Sequence, residues 1–200
     1  MIHKLKITDL SDAQSYSFNQ NVRDYDVWIS VVDAADKRKI SRMRQNFNKK
    51  NVSSFAQFFY DWSDEDGISW KHLQHEAPQH QHIQNIITFL RPFVEDDKPH
   101  KLGVNCFAGI SRSTAVGIIA LVMSGRTAED ALTEVLSNRP EAWPNIRILT
   151  FASEILNKDI KTPVVNWKKS CLESNELFVM PERKLSSHHK VLLENIQNEN

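Results

Sequence analysis

Short strand-like runs alternate with helix-like segments along the first part of this chain. The β-branched and aromatic run Val27–Val32 is typical of a buried strand, and "KLGVNC" at 101–106 predicts another. From about 80 to 94 the apolar positions repeat at helical spacing, and 113–123 is apolar on nearly every side, which indicates a buried helix. This alternation predicts an α/β fold, with a central, mostly parallel sheet of about four to five strands flanked by helices.

The alternation ends near residue 157. Residues 158–200 are more polar, carry scattered charges and contain one short helical pattern near 191–196. A chain of 200 residues with 40% apolar composition is long enough for one real core. We therefore expect one domain over 1–157 and a polar C-terminal appendage over 158–200.

The net charge and the cysteines limit the partners and the cellular location that the sequence favours. The formal net charge is zero, so there is no overall electrostatic case for a nucleic-acid or membrane partner. The two cysteines do not form a C-x-x-C pair, and no apolar run approaches the ~20 residues that span a bilayer. The N-terminal segment also lacks the apolar core of a signal peptide. We expect a cytoplasmic protein, and a monomer.

The most specific stretch is "VNCFAGISRST", at 104–114. It lies between a predicted strand and a buried helix, where unsatisfied backbone N–H groups and the helix dipole favour an anion. Ala108 and Gly109 leave room for a tetrahedral oxyanion, and Gly109 permits unusual φ angles. The planar guanidinium of Arg112 can hold two phosphate oxygens at once.

The same environment favours a reactive thiolate at Cys106. A thiol at a helix N-terminus near an arginine loses its proton more readily, and Ser113 can donate a hydrogen bond to it. A lone cysteine ahead of a buried helix is more often a small core residue. Here the arginine at the sixth following position, the hydroxyl after it and the small residues between them together favour a nucleophile.

These residues resemble the Cys-x5-Arg-Ser/Thr signature of the cysteine-dependent protein phosphatases. "NCFAGISRST" is similar to the "HCxAGxSRS" of the dual-specificity branch and of its small bacterial tyrosine-phosphatase-like relatives. A second stretch, "RPEAWPN" at 139–145, is similar to their "RPxxxPN" segment. The resemblance covers roughly residues 26–157. It implies a dual-specificity-phosphatase-like fold and a phosphorylated protein as substrate.

The resemblance also implies a two-step hydrolysis of phosphotyrosine, and of phosphoserine or phosphothreonine, without metal or cofactor. Cys106 would attack phosphorus and form a phosphocysteine, and Ser113 would assist the departure of the thiolate. The phosphoryl oxygens would be bound by the amides of the signature loop and by the arginine side chain. That loop comprises Phe107, Ala108, Gly109, Ile110, Ser111 and Arg112.

The family's general acid is an aspartate upstream of the cysteine. The candidates are Asp61, Asp64, Glu65 and Asp66. The acid often follows a strand as Phe-x-Asp, and "FYD" ends in Asp61, so we favour Asp61, with Asp64 second. An acidic cluster followed by Gly67 is also typical of a solvated turn.

Two departures from the family pattern stand out. Asn105 replaces the histidine that usually precedes the nucleophile, which predicts a tuned or weaker enzyme. The His- and Gln-rich stretch between Asp61 and Cys106 suggests an insertion in the loop that bears the acid.

Other functions stay open at this stage. The same chemistry could act on a phosphoinositide or an RNA 5′ phosphate, although the uncharged Phe107, Ile110 and Ser111 argue against these. A phosphate-binding module without turnover is the alternative from another class.

Two polar segments can be interpreted either as ordinary solvent-exposed surface or as functional sites. One segment contains residues of the types that bind zinc: His72, His75, Glu76, His80 and His82. Their spacing fits no standard finger and favours a surface loop. The basic run from Lys37 to Lys50 is typical of a solvated helix face or loop, or it contacts phosphorylated substrate or nucleic acid.

Overall fold

A computed structural model describes residues 1–19, 24–62 and 77–173. Several predictions therefore lie outside the described residues. These are the acid candidates Asp64, Glu65 and Asp66, the zinc candidates His72, His75 and Glu76, and the helix near 191–196.

Strands and helices alternate through the described residues. The strands are β1 (Ile2–Thr8), β2 (Val27–Val32), β3 (Ser53–Phe58) and β4 (His100–Asn105). The helices are α1 (Leu10–Phe18), α2 (Lys37–Lys49), α3 (His80–Glu95), α4 (Arg112–Met123), α5 (Ala128–Asn138), α6 (Ile146–Leu156) and α7 (Lys161–Glu173). A short 3-10 turn, Ala34–Asp36, precedes α2.

The four strands form one parallel sheet in the order β1-β4-β2-β3. The predicted α/β fold with a parallel sheet between helices is confirmed. The carboxyl ends of parallel strands meet at one edge of the sheet, where ligands bind in open α/β folds. The residues that follow all four strands are therefore brought together, and those after β4 include Cys106.

The smaller of the two hydrophobic cores lies on one face of the sheet and is centred on Trp28. This side chain is fully buried and stacks on Phe47 of α2 with ring centroids 5.0 Å apart. It lies over Gly103 of the neighbouring strand, where a Cβ atom would come within 2.2 Å of the indole ring. Only glycine leaves room for Trp28 at that position, which explains the glycine in the middle of β4.

The larger core lies on the opposite face, with α4 at its centre. Residues 112–122 of α4 are all buried, as the apolar run predicted. Thr127 caps α5 by accepting a hydrogen bond from the N–H of Asp130, and Asn145 caps α6 by accepting one from Ile148. Both helices begin directly after a short polar residue, because such side chains satisfy the first N–H groups of a helix.

The helix α7 lies within the segment assigned to the appendage, and the sequence analysis missed it. Ile160 and Val164 are fully buried in the larger core. Trp167 packs on Trp143 with ring centroids 5.5 Å apart, and the ammonium group of Lys168 lies over the Trp143 ring. The division of the chain at residue 157 stays a prediction, since 174–200 lie outside the described residues.

The basic run forms the helix α2 with a solvated face, which is one of the two structural interpretations, helix face or loop, offered by the sequence. Ile40, Met43 and Phe47 form the buried stripe of α2, and the charged side chains lie on its exposed side. Within the described residues, no helix is both long and apolar enough to cross a bilayer.

Candidate active site

Cys106 lies between the end of β4 and the start of α4 and is 1% exposed. The N–H of Gly109 donates a hydrogen bond to its sulfur, with N and Sγ 3.2 Å apart. The Ser113 hydroxyl lies 3.2 Å from the same sulfur, close enough for a hydrogen bond. The thiol therefore faces one amide of the loop and a hydroxyl at the N-terminus of a buried helix, and its role as a nucleophile stays a prediction.

Gly109 is required by the shape of this loop. Its φ is +74°, and an added Cβ atom would lie 2.8 Å from the carbonyl carbon of Thr8. On the same side, the N–H of Leu10 donates to the carbonyl of Phe107 at 3.1 Å. The loop is thus packed tightly against the end of β1, and a side chain at position 109 would push it out of place.

The second motif braces the first. Arg139 donates from its guanidinium to the carbonyl of Ala108 at 3.1 Å. The N–H groups of Trp143 and Asn145 donate to the carbonyls of Ile110 and Ser111 at 2.9 and 3.3 Å. These bonds fix the orientation of the peptide groups from which any phosphate-binding amides come. The sequence pointed to both motifs but not to their contact.

Arg112 is a buried cation held by two acids. It is 2% exposed and donates from one terminal nitrogen to Asp33 Oδ1 at 2.6 Å and to the carbonyl of Phe59 at 2.7 Å. Its Nε lies 3.7 Å from Asp61 Oδ2, too far for a hydrogen bond, and makes none within the described residues.

The charge of Arg112 is secured by this arrangement. Burial alone would lower the pKa of the Arg112 guanidinium, but its electrostatic interactions with Asp61, Cys106 and Asp33 more than offset it. The pKa of Arg112 therefore lies above its ordinary value. A buried positive charge thus stands beside the thiol of Cys106.

Asp61 reaches the same site from the loop after β3, and its side chain is 15% exposed. Its Oδ1 accepts hydrogen bonds from the Ser111 hydroxyl at 2.6 Å and from the Asn145 amide at 3.0 Å. Asn145 also donates to the carbonyl of Trp62 at 3.1 Å. The favoured acid candidate is therefore brought beside the signature loop.

Asn105 occupies a buried polar position just before the nucleophile and is fully buried. Its side-chain oxygen accepts hydrogen bonds from Trp28 Nε1 at 2.9 Å and from the Ser30 hydroxyl at 2.8 Å. The amide thus satisfies two buried donors of β2 and ties the Trp28 cluster to the start of the loop.

Two of the residues at the site were missed by the sequence analysis. Asp33, the first acid on Arg112, follows β2 directly, so its place at the carboxyl edge of a parallel sheet was a usable signal. Asn145 was recognised only as the last residue of the "RPEAWPN" stretch, and its contact with Asp61 depends on the tertiary fold.

Aromatic side chains flank the site at the surface. In the described part of the chain, four large apolar side chains are exposed: Met1, Phe18, Tyr60 and Phe107. Tyr60 directly precedes Asp61, and Phe107 directly follows Cys106, with 39% and 42% of their surfaces exposed. Both exposed rings therefore belong to residues that directly adjoin a candidate site residue in the chain.

The zinc candidates His80 and His82 both lie in the first turn of α3. His82 Nδ1 accepts a hydrogen bond from the N–H of Gln79, and its ring stacks on Phe59 with centroids 5.2 Å apart. Over 1–19, 24–62 and 77–173, no group of three or more His, Cys, Asp or Glu side chains is arranged to hold a metal ion.

Comparison with known proteins gives fold likenesses only. No protein-family model matches the chain, and no curated protein matches its sequence. The crystal structure of Tk-PTP in the active form is similar at a TM-score of 0.48 and 18% identity, covering 80% of this chain and 92% of that one. The phosphatase domain of Yvh1 from Chaetomium thermophilum is similar at 0.45 and 19% identity, covering 84% and 92%. At these values neither likeness assigns a function or a residue's role.

Proposed function

We propose that this protein is a cysteine-dependent phosphatase that removes phosphate from phosphotyrosine residues of proteins through a phosphocysteine intermediate. The observation that carries the proposal is the arrangement around one sulfur atom. The Cys106 thiol lies against the amide of Gly109 and the hydroxyl of Ser113, with the buried charge of Arg112 at the same site. A small apolar residue in the core would need none of these partners.

In the proposed first step, the Cys106 thiolate attacks phosphorus and the bond from phosphorus to the tyrosine oxygen breaks. Asp61 gives its proton to the departing oxygen. Arg112 and the amides of residues 107–112 stabilise the charge that develops on the phosphoryl oxygens. The products of this step are free tyrosine hydroxyl and phosphocysteine.

In the proposed second step, water attacks the phosphocysteine and the phosphorus–sulfur bond breaks. Asp61, now a carboxylate, accepts a proton from the water, and inorganic phosphate leaves. Ser113 donates a hydrogen bond to the departing thiolate, consistent with its 3.2 Å distance from Sγ. Asp61 ends the cycle protonated, so the protons balance and no metal is required.

The substrate class follows from the surface around the thiol. Tyr60 and Phe107, the sequence neighbours of Asp61 and Cys106, both expose aromatic surface, which favours the phenyl ring of phosphotyrosine over the shorter phosphoserine and phosphothreonine. The uncharged loop side chains Ile110 and Ser111 disfavour a phosphoinositide or an RNA 5′ phosphate as substrate. A cytoplasmic setting, a monomeric state and the small bacterial branch of the family stay predictions.

A phosphate-binding module without turnover is the second candidate. Asn105 stands where the family has histidine, and its side-chain oxygen already serves Trp28 and Ser30. Such a module would still bind phosphate through Arg112 but would have no use for a thiol among hydrogen-bond donors.

The test is hydrolysis of a small aryl phosphate in the presence of a chelator, from mildly acidic to neutral pH. We expect wild type to turn over, Cys106→Ser to be inactive, and Asp61→Asn to lose about 10²-fold or more in kcat. Activity lost only in Cys106→Ser would move the acid to Asp64. Well-folded wild type that binds phosphate or vanadate without turnover would establish the binding module instead.

A further inference from the structure

The exposed side of α2 is a concentrated positive surface on a chain whose formal net charge is zero. Seven Lys and Arg side chains and no Asp or Glu occur from Lys37 to Lys50. Six of them are exposed along the helix: Lys37, Arg38, Lys39, Arg42, Arg44 and Lys49. Among these six, the structure's described portion pairs only Lys39 with an acid, Asp36, at 3.1 Å.

Part of this surface forms one wall of a groove of about 250 Å³ between α2 and the end of β3. Its lining combines two cations with uncharged hydrogen-bonding side chains and one aromatic ring. The residues are Lys37, Ser41, Arg44, Gln45, Asn48 and Phe58, with the buried Ile40 at the base of the helix face. The ammonium group of Lys37 lies 5.6 Å from the centre of the Phe58 ring.

The groove borders the candidate active site through two connections of the chain. Phe58 is followed by Phe59, whose carbonyl accepts a hydrogen bond from Arg112. Lys37 begins the helix four residues after Asp33, which is the partner of the same arginine. A chain segment lying in the groove would therefore lead towards the thiol.

The chemistry of the groove fits an acidic peptide. Lys37 and Arg44 would pair with carboxylates, and Ser41, Gln45 and Asn48 can hydrogen-bond to a peptide backbone. Single-stranded RNA is held by bases stacked on open aromatic rings, but the one ring here is already covered by Lys37. The exposed side of α2 carries no large apolar side chain that would enter a membrane interface.

We propose that the basic face of α2 is a docking surface for an acidic segment of the phosphorylated protein substrate, close in sequence to the phosphorylated residue. This inference rests on the proposed phosphatase function, because it assigns the substrate's surroundings at the same site. It selects, among phosphotyrosine proteins, those whose phosphorylated residue lies in an acidic stretch.

The experiment compares two phosphotyrosine peptides that differ only in whether the flanking residues are Asp and Glu or Ser and Asn. The variant is Lys37→Gln/Arg44→Gln. The matched control is Lys161→Gln/Lys169→Gln. It removes two exposed charges from α7, a helix that packs against the core on the other face of the sheet. Each protein is also assayed on a small aryl phosphate, which is too short to extend from the active site into the groove.

We expect wild type and the α7 control to have a kcat/KM about two- to tenfold higher for the acidic peptide at low salt, with the difference mainly in KM. The α2 variant should lose this preference while its activity on the neutral peptide and on the aryl phosphate is unchanged. Added salt should remove the preference in wild type, because exposed charge pairs are screened.

Three results would overturn the proposal: no acidic preference in wild type, a preference that survives in the α2 variant, or a 5′-phosphorylated oligoribonucleotide that binds through Lys37 and Arg44 more tightly than the acidic peptide. Binding of the unphosphorylated acidic peptide, followed by fluorescence anisotropy, separates this proposal from the enzymatic one. If wild type turns over nothing but binds that peptide through α2, the phosphatase assignment fails and the docking surface stands.

Discussion

The side-chain amide of Asn145 donates a hydrogen bond to Asp61 Oδ1 at 3.0 Å, although 84 positions separate the two residues. The same amide group holds the carbonyl of Trp62, and the Asn145 side-chain oxygen caps α6. One residue thus fixes the loop that carries the candidate acid to the first turn of a core helix.

We predict that Asn145→Ser lowers kcat on an aryl phosphate about tenfold, because a hydrogen bond to a charged group contributes about 1.5–3 kcal/mol. Serine is also a good helix cap, so α6 should still form, but the lost hydrogen bonds to Asp61 and Trp62 should lower the free energy of unfolding by about 1–3 kcal/mol. In an Asp61→Asn background the substitution should have a much smaller effect on kcat, since both changes act on one group. An equal loss in both backgrounds would show that Asn145 acts elsewhere than on Asp61.

Gly109 and Gly125 offer a matched pair of substitutions. Both have positive φ, +74° and +96°, but an added Cβ meets the Thr8 backbone at 2.8 Å in the first and nothing within 4 Å in the second. We predict that Gly125→Ala lowers the free energy of unfolding by about 1–2 kcal/mol, for the backbone alone, and leaves activity intact. Gly109→Ala should lower it further and abolish turnover, as denaturant unfolding and aryl phosphate assays would measure. Full activity in a folded Gly109→Ala protein would mean that the loop shape is not needed.

If Arg112 binds phosphate as proposed, Asp33 and phosphate should compete for the same cation. Asp33→Asn keeps the size of the side chain but removes a charge 2.6 Å from the buried guanidinium of Arg112. We predict a loss of about 1–3 kcal/mol in the free energy of unfolding and a larger rise in Tm on adding inorganic phosphate than in wild type. Asp36→Asn, which breaks the more exposed pair with Lys39, is the control and should leave the phosphate effect unchanged. An identical phosphate effect in all three proteins would contradict the role given to Asp33.

His82 should make the stability sensitive to mild acid. Burial lowers the pKa of His82 below its ordinary value, so the folded protein binds this proton less readily than the unfolded chain. Stability should therefore fall as the pH drops below about 6.5 and level off below the folded pKa. His82→Gln keeps a hydrogen-bond acceptor at this capping position but does not titrate, so its Tm should fall less between about pH 7.5 and 5.5. Parallel curves for the two proteins would place the sensitivity at another group.

The parts of the fold that could be predicted are those specified by contiguous sequence. The strand Val27–Val32 and the apolar helix α4 are each indicated by a pattern of a few neighbouring residues. The loop from Cys106 to Arg112 is likewise local, because the thiol, the amides and the arginine lie within one turn between a strand and a helix. Local patterns set local geometry, so these predictions depended little on the rest of the chain.

The parts that could not be predicted depend on distant contacts. Asn105 finds its partners Trp28 and Ser30 across 77 and 75 positions, and only the strand order places β2 beside β4. The apolar residues of helix α7 follow the helical period only weakly, and its place is fixed by packing against Trp143. The two buried donors of Trp28 and Ser30 account for an amide side chain at position 105.

The most direct test of the phosphatase assignment is to quench wild type in acid during turnover of an aryl phosphate and find the phosphorylated peptide by mass spectrometry. The account predicts phosphate on Cys106, in larger amount in Ser113→Ala, where thiolate departure is slowed, and none in Cys106→Ser. Turnover that persists in Cys106→Ser, or phosphate trapped on any other residue, would contradict the thiolate mechanism.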